Sequence, residues 1–287
     1  MQEFSFHCPT EIVFGRGVEE RTAELLRKYG AHRVFIVYGG GSVIKSGLLA
    51  RVERVITAAG LAFSVRGGVR PNPRLSFARE AVREAMDFEA DFLLAVGGGS
   101  VIDTAKAIAH GTANPETDIW DFWSGKKELK KSLPVGVILT LPAAGSETSD
   151  SSVLTNEETG EKAGLPSPFN RPAFAILNPE LAFSLSSPQL AAGIADIVMH
   201  TLERYMTHTE GNEFTDLLAE ALLQNVAKYA PIVLAHHKNY EAMSEIMWCG
   251  TISHCGLTGL GRDKDFSVHK LGHALSARYD TNHGESL

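Results

Sequence analysis

The stretch DFLLAVGGGSVIDTAKAIAHG (Asp91–Gly111) decides the fold prediction for this chain. A mostly apolar, β-rich run is followed by Gly97, Gly98, Gly99 and Ser100, and then by a helix-like pattern. Because glycine lacks a Cβ, a ligand's phosphate oxygens can approach the backbone, where the N–H groups of the loop and of the first helical turn donate. A strand, a glycine loop and a helix in this order favour a nucleotide-binding α/β protein. On these residues alone a tight strand-to-helix turn without a ligand remains open.

The hexapeptide GGGSVI occurs a second time, at Gly39–Ile44, directly after the apolar run RVFIVY. This earlier copy continues with Lys45, whereas the later copy continues with Asp103. The flanking segments of the two copies do not match. We therefore infer two loops with different duties rather than a duplicated domain.

The rest of the first half alternates strand-like and helix-like segments. Strands that are apolar nearly throughout, separated by helices, indicate a parallel sheet covered on both faces, and a doubly wound order is the default. The predicted strands are Arg33–Tyr38, Leu61–Val65, Asp91–Val96 and Val135–Thr140, and the predicted helices are Val18–Tyr29, Ser46–Ala59, Pro73–Phe88 and Ile102–Gly111.

Near Ser184 the pattern becomes entirely helical. Ser187 before Pro188 predicts a helix start, since a hydroxyl can cap the first turn and proline is tolerated there. Phe214–Leu234 and Glu241–Leu257 predict further helices. We expect an α/β domain over residues 1–185 and an all-helical domain over 186–287.

Composition excludes several classes of protein. The formal net charge is −7 and no Lys/Arg cluster occurs, which argues against a nucleic-acid surface. Apolar runs are shorter than a membrane span, and the N-terminus lacks the pattern of a signal peptide. Three cysteines with no metal-type spacing make a disulfide framework improbable, so we expect a reduced, cytoplasmic protein.

The helical half carries candidate metal ligands. Asp196 and His200 are four residues apart, and so are His269 and His273, so each pair shares one helix face, with His283 just beyond. One carboxylate and up to three imidazoles suit Zn²⁺ or Fe²⁺ better than Mg²⁺ or Ca²⁺. Spacing alone favours His269 and His273 as a ligand pair. A surface hydrogen bond is the alternative for an isolated Asp/His pair.

Four motifs of this chain together resemble the iron-containing (group III) alcohol dehydrogenases. They are GGGSVIDTAKA, LPAAGSETS (Leu141–Ser149), ADIVMHTLE and HKLGHALSARYDTNHG. Within that family, the loop YGGGSVIKSG together with LPAAGSE is most similar to the NADPH-linked branch of butanol dehydrogenases and broad aldehyde reductases. The resemblance implies a nucleotide-binding α/β domain, a helical metal-binding domain of the dehydroquinate synthase type, and catalysis in the cleft between them. It implies hydride transfer between NADP(H) and a small aldehyde or primary alcohol such as butanal or butanol, and a homodimer.

The resemblance also implies roles for single residues. His273 would lie near substrate and nicotinamide, relaying a proton or orienting a ligand, and so would not be a metal ligand. The implied metal ligands are Asp196, His200, His269 and His283, and the implied cofactor residues are Asn72, Gly97, Gly98, Gly99, Ser100, Asp103, Thr140, Leu141, Ser146 and Lys162.

The first glycine loop adds a prediction about the cofactor. Enzymes that prefer NAD commonly place a carboxylate after this early strand, where it binds the ribose 2′-OH and repels a 2′-phosphate. Here the chain has Gly39, Gly40, Gly41 and Ser42, with Lys45 close behind. Backbone donors, a hydroxyl and a cation favour a phosphate, so we expect NADP(H) over NAD(H).

The sequence departs from the family pattern in two places. Phe266 stands where relatives often carry Trp. The family's chains continue beyond His283–Gly284, so the resemblance predicts a helical domain whose C-terminal part is missing. Alternatives are a dehydroquinate synthase-like lyase, a glycerol dehydrogenase-like enzyme and an inactive nucleotide-binding fragment; the lyase needs a cationic pocket that is not evident near the ligand motifs. The aromatics of IWDFWSG (119–125) suit either an apolar substrate pocket or the core.

Overall fold

A six-stranded parallel sheet forms the centre of the N-terminal part of the chain, and the structure, a computed structural model, describes residues 1–287. The strand order is β1-β8-β5-β4-β2-β3, and a separate antiparallel hairpin is made of β6 and β7. The strands are β1 (Glu11–Phe14), β2 (Arg33–Tyr38), β3 (Ala62–Arg66), β4 (Phe92–Gly97), β5 (Val135–Leu139), β6 (Ser151–Asn156), β7 (Glu161–Pro166) and β8 (Phe174–Leu177).

Helices cover the sheet and make up the C-terminal part. They are α1 (Thr22–Lys28), α2 (Ser42–Lys45), α3 (Leu48–Ala58), α4 (Leu75–Asp87), α5 (Gly99–Ala113), α6 (Trp120–Trp123), α7 (Ser187–Tyr205), α8 (Glu213–Ala235), α9 (Tyr240–His254) and α10 (Ser267–Tyr279). Short 3₁₀ turns lie at Val18–Arg21, Pro168–Asn170, Pro179–Ala182, Leu257–Gly259 and His283–Glu285.

The predicted fold class, a parallel α/β sheet followed by helices, is confirmed. Four strands escaped prediction from the sequence. β1 and β8 have only four residues each, which is too short for periodicity to show. The β6–β7 hairpin has polar and half-exposed positions, a pattern that is typical of a loop in the sequence.

The two glycine loops are neighbours in space because β2 and β4 are neighbours in the sheet. Tyr38 pairs with Val96 in register, so both strands end at the same edge. The chain runs outward from β2 to β3 and then returns to the other side of β2 as β4. Such a reversal opens a crevice at the carboxyl ends of the strands, where α/β proteins bind nucleotides.

The first helix of the C-terminal part begins one residue earlier than the sequence suggested. Ser186, not Ser187, is the N-cap: its hydroxyl accepts from the Gln189 N–H, and the Gln189 side chain accepts from the Ser186 N–H. Our proposed boundary at about residue 185 falls between β8 and α7. The two parts share one hydrophobic core, since a single buried cluster joins Leu93 and Val137 of the sheet to Ile197 of α7.

The aromatic residues of IWDFWSG belong to the core. Trp120, Phe122 and Trp123 are buried in a cluster with Leu75 and Leu154. They do not line the cleft described below, so their use as a substrate pocket is ruled out by this placement.

One helix, α8, is long and apolar enough to cross a membrane by length and composition, with a mean hydropathy of 1.2. The expectation from the sequence concerned uninterrupted apolar runs, whereas α8 meets this criterion on its average over 18 residues. It is weak evidence for a span, because core helices of globular domains pass the same test, and α8 packs against both α7 and α9.

A buried histidine on α5 lies away from the cleft. Nδ1 of His110 is 2.8 Å from the Ser132 hydroxyl and Nε2 is 2.9 Å from Oδ1 of Asn170. Burial lowers the pKa of His110 to about 4, against the opposing effect of the Asn170 hydrogen bond. The imidazole is therefore neutral in the folded protein at pH 7.

We expect acid to weaken the fold through this residue. Above pH 6.5 His110 is neutral in both states, but between pH 6.5 and 4 only the unfolded chain takes up the proton. At pH 5 this costs about 2 kcal/mol of unfolding free energy. Urea unfolding with chelator present should show that His110→Asn, although less stable at pH 7, loses less stability than wild type between pH 7 and 5. Equal losses would contradict this, since the other histidines are common to both proteins.

Candidate metal and cofactor site

Four ligand-type atoms from three separate segments converge beside the cleft. Asp196 Oδ1, on α7, lies 3.3 Å from Nε2 of His200, one helical turn later. It also lies 3.5 Å from Nε2 of His269 on α10 and 3.9 Å from Nε2 of His283 in the turn after α10. The two nitrogens of His200 and His269 are 3.2 Å apart. One cation at the centre of this group would be within ligand distance of all four side chains after small adjustments.

The donor set fits a divalent transition metal. Asp196 Oδ1 is buried and has no hydrogen-bond partner, an expensive arrangement unless a cation satisfies it. Burial lowers the pKa of His200 well below its usual value and that of His283 to about 4. Both rings are therefore neutral at pH 7, the form that binds a metal. Three imidazoles and one carboxylate suit Fe²⁺ and Zn²⁺ equally.

His273 lies beside this group without joining it. Its ring centroid is 5.2 Å from that of His283 and 6.5 Å from that of His269, and it lines the cleft. Burial, with Lys162 contributing, lowers its pKa to about 3. The structure thus brings His269, and not the pair of His269 and His273 that spacing favoured, to the Asp196 oxygen.

Glu203 holds His269 from behind, a role that sequence reasoning missed. Nδ1 of His269 donates to Oε2 of Glu203, and Oε1 of Glu203 accepts from the backbone N–H groups of Val268, at 2.8 Å, and His269, at 3.1 Å. One carboxylate therefore satisfies the first turn of α10 and fixes the histidine tautomer, leaving Nε2 free for a metal. A signal existed, because Glu203 follows Asp196 by seven residues on the same face of α7.

Replacing Glu203 by glutamine is expected to weaken metal binding by about 10- to 100-fold. An amide has one oxygen, so it cannot accept both from Nδ1 of His269 and from the backbone N–H groups of α10, and the histidine tautomer is no longer fixed. Competition between the protein and a metallochromic chelator for Zn²⁺ would measure this. Glu19→Gln is the matched control: Glu19 is equally buried but contacts Arg51 and Asn178, far from the metal ligands. Unchanged affinity in Glu203→Gln would contradict the role assigned to the carboxylate.

A second group missed from the sequence lies behind His200. Arg204 donates to the His200 carbonyl and, at 2.5 Å, to Nδ1 of His254, whose ring centroid is 4.0 Å from that of His200. The bond to Arg204 leaves the proton of neutral His254 on Nε2. Nothing in the sequence spacing marks His254, because it comes from a different helix.

One cleft of about 950 Å³ runs from the glycine loops to the metal ligands. Every residue assigned from the sequence lines it except Lys45, which is exposed on α2 just outside. Besides the predicted Lys162, the cleft carries Arg70, Arg204, Lys264 and Lys270, more positive charge than the sequence suggested. Its predicted lining residues are Gly39, Gly40, Gly41, Ser42, Asn72, Gly97, Gly98, Gly99, Ser100, Asp103, Thr140, Leu141, Ser146, Lys162, Asp196, His200, His269, His273 and His283.

The glycines of the second loop serve two purposes. A Cβ on Gly97 would lie 2.5 Å from the Val101 side chain, so this position must be small for α5 to pack on β4. A Cβ on Gly98 would be 3.1 Å from Leu141. A Cβ on Gly99 would meet nothing within 4 Å and would fill open cleft instead. That open backbone at the start of a 15-residue helix fits the pyrophosphate of a dinucleotide.

Asp103 and Ser146 are tied into a hydrogen-bond network that forms part of the cleft wall. Asp103 accepts from the Ser146 hydroxyl at 2.6 Å and from the Val153 N–H at 2.8 Å. Lys106, fully buried, donates to the Ser146 and Ser151 carbonyls and to the Ser146 hydroxyl. The Asp103 carboxylate is thereby occupied, so it positions the cofactor wall. Thr140 likewise ties β5 to the loop through an N–H donated to the Gly97 carbonyl at 3.1 Å.

Asn72 and Lys162 form a second linked pair. Lys162 donates to Oδ1 of Asn72 at 2.8 Å, while the Asn72 amide donates to Oδ1 of Asp280 and to the Thr281 carbonyl. Burial lowers the pKa of Lys162 to about 8. These contacts connect the loop after β3, the β7 strand and the end of α10 across the cleft.

Comparison with known proteins decides the family. The model of the family described as iron-containing alcohol dehydrogenase matches residues 9–179, and the model of its C-terminal part matches residues 190–287. The chain belongs to the iron-containing alcohol dehydrogenase family. Members are oxidoreductases that use NAD(P) and a divalent metal, so the cleft and the four converging ligand atoms match what the family requires.

Individual members of the family resemble the chain over its whole length. NADH-dependent butanol dehydrogenase A of Clostridium acetobutylicum is 39% identical over 100% of this chain and 73% of its own length. The NADPH-dependent aldehyde reductase YqhD of Escherichia coli is 37% identical over 100% of this chain and 74% of its own. The crystal structure of NADH-dependent butanol dehydrogenase A from Thermotoga maritima superimposes with a TM-score of 0.97 at 37% identity, covering 100% of this chain and 72% of that one.

Proposed function

We propose that the protein reduces small aldehydes, butanal being representative, with NADPH as hydride donor, and catalyses the reverse oxidation of primary alcohols. The observation that carries the proposal is the convergence of Asp196 Oδ1 with three imidazole nitrogens at the end of a nucleotide-sized cleft. Names of relatives agree on alcohol or aldehyde chemistry: two are butanol dehydrogenases and one is an aldehyde reductase.

Asp196, His200, His269 and His283 would hold the metal. When bound, it supplies a Lewis acid that stabilises the negative charge developing on the substrate oxygen during hydride transfer. The chain's own residues would contribute by binding and orienting the cofactor. When the cofactor is bound, Gly97–Ser100 would hold its phosphate end, and the Asp103–Lys106–Ser146 network would keep the facing wall in place. Together they would direct the nicotinamide end toward the metal ligands.

His273 is the proposed catalytic residue. It lines the cleft next to His283, where an imidazole can hold the substrate oxygen's proton by a hydrogen bond or pass it to solvent. Lys162 and Asn72 lie on the same cleft wall and would orient the nicotinamide end.

The preference for NADP(H) is supported by the first glycine loop. None of its backbone positions Gly39, Gly40 and Gly41 has a positive φ, and a Cβ on Gly40 would meet nothing within 4 Å. The open space beside Gly40 leaves room for a phosphate next to backbone donors and the Ser42 hydroxyl. The exposed Lys45 is nearby, and the loop contains no carboxylate. The relatives' names include both NADH and NADPH enzymes, so the preference is inferred from the residues of the loop.

The deciding experiment follows the oxidation of NADPH, and separately of NADH, in the presence of butanal, with metal-free protein and after addition of Fe²⁺ or Zn²⁺ under anaerobic conditions. Metal-dependent turnover that is faster with NADPH supports the whole proposal. Turnover faster with NADH would overturn only the cofactor preference. NADPH binding without turnover in any metal would support a nucleotide-binding protein without reductase activity.

The three free cysteines, none of them paired, are in keeping with our inference of a cytoplasmic location.

A further inference from the structure

The segment Gly67–Pro73, which we call the strap, crosses the carboxyl edge of the sheet directly beside the first glycine loop. Gly68 donates its N–H to the Gly39 carbonyl at 2.9 Å, and Val69 donates to the Tyr38 carbonyl at 3.3 Å. Further on, the strap is fixed by the Pro73 carbonyl, which accepts from Thr155 at 2.7 Å. Arg70 is therefore held one residue beyond the point where the strap and the glycine loop are hydrogen-bonded together.

The guanidinium of Arg70 has no partner within the chain. Its residue is exposed and lines the cleft, yet it makes no hydrogen bond and no ion pair. The two arginines on either side of it are engaged: Arg66 pairs with Glu80 and Glu84, and Arg74 pairs with Asp280. The neighbouring Glu157 is occupied by the Ser76 hydroxyl and N–H. Of the three arginines in the segment 66–74, only Arg70 is left available to a ligand.

We propose that Arg70 is a specificity-determining residue that binds the 2′-phosphate of NADP(H), together with the donors of the Gly39–Ser42 loop. A guanidinium is always charged and offers paired N–H groups that match two phosphate oxygens. NAD(H) has a hydroxyl at the same position and gains little from this contact. The inference rests on the proposed NADP(H) preference and names a residue that supplies it.

The test uses mononucleotides, so that neither the metal nor turnover enters. Adenosine 2′,5′-bisphosphate and 5′-AMP differ only by the 2′-phosphate, and calorimetry would give the affinity of each. Arg70→Gln is expected to lower the affinity for the bisphosphate by about 10- to 100-fold and the affinity for 5′-AMP by less than about 2-fold. Arg70→Lys should fall in between, and Arg66→Gln, which alters a paired arginine of β3 outside the cleft, should bind like wild type.

Four results would overturn the assignment, and each has a different meaning. If Arg70→Gln weakens binding of 5′-ADP, measured in the same way, as much as binding of the bisphosphate, Arg70 lies on the pyrophosphate. Unchanged binding of both would show that Arg70 touches neither. If wild-type protein binds the bisphosphate no more tightly than 5′-AMP, the NADP(H) preference itself fails, independently of Arg70. Wild-type discrimination that survives in Arg70→Gln would leave the preference standing and remove only this residue from it.

Discussion

Asp196→Asn is expected to abolish metal-dependent aldehyde reduction, lowering kcat by more than about 1,000-fold, since a Lewis acid is worth several kcal/mol of transition-state stabilisation. The amide keeps the shape of the side chain but removes the only negative charge among the four converging ligand atoms. Thermal unfolding with and without Zn²⁺ gives a second readout. Wild type should gain about 2.7 kcal/mol of stability at a metal concentration of 100 Kd, and the variant should gain none at that concentration.

His273→Asn is the matched control for that prediction. It removes an imidazole of the same cleft that does not reach the Asp196 oxygen, so the stabilisation by Zn²⁺ should persist. Turnover should still fall by roughly 100-fold if His273 positions or relays the substrate proton. Loss of metal binding in this variant, or its retention in Asp196→Asn, would show that the ligand set is assigned wrongly.

Gly39→Asp is expected to lower kcat/KM for NADPH by roughly 100-fold and to raise that for NADH by up to about tenfold. A carboxylate there would repel the 2′-phosphate, a like-charge contact that costs several kcal/mol, and would accept a hydrogen bond from a ribose hydroxyl instead. The structure accommodates the side chain, because a Cβ on Gly39 has only ordinary contacts, 3.5 Å from Val101 and from the Val69 carbonyl. Steady-state kinetics with both cofactors would measure the switch.

Gly39→Ala separates charge from bulk. It adds the same Cβ without the carboxylate, so its cofactor preference should remain that of wild type. A similar loss of NADPH activity in both variants would mean that space, not charge, governs this position. An unchanged preference in Gly39→Asp would mean that the 2′-phosphate lies elsewhere.

The sequence predicted the fold class well because apolar strands, glycine loops and amphipathic helices are local patterns. The same argument missed β1 and β8, which are strands only because they pair with each other and with β5. It also placed the cap of α7 at Ser187 rather than Ser186, since both are serines and only the backbone geometry distinguishes them.

At the site, the residues of the motifs were predictable and their supporting partners were not. Asp196 and His200 share a helix face, so their pairing follows from spacing alone. Glu203 was visible in the same motif, but its role depends on α10 lying against α7. Arg70 and His254 carry no sequence signal. Arg70 is placed by the backbone hydrogen bonds that its neighbours Gly68 and Val69 make to the end of β2 and the loop after it. His254 is placed by its hydrogen bond to Arg204, which lies on another helix.

By itself, the sequence determined which atoms are available to this protein: two glycine loops free of side chains, one carboxylate and three imidazoles in family order, and no acid after β2. Only the tertiary structure decided which of them meet. The pairing of β2 with β4 sets the two loops side by side, and the packing of α10 on α7 directs Nε2 of His269, rather than the ring of His273, at the Asp196 oxygen. The physical reason is that residue spacing sets the relative directions of side chains only within one helix. The ligands of a metal site come from several elements, whose packing must bring their side chains together.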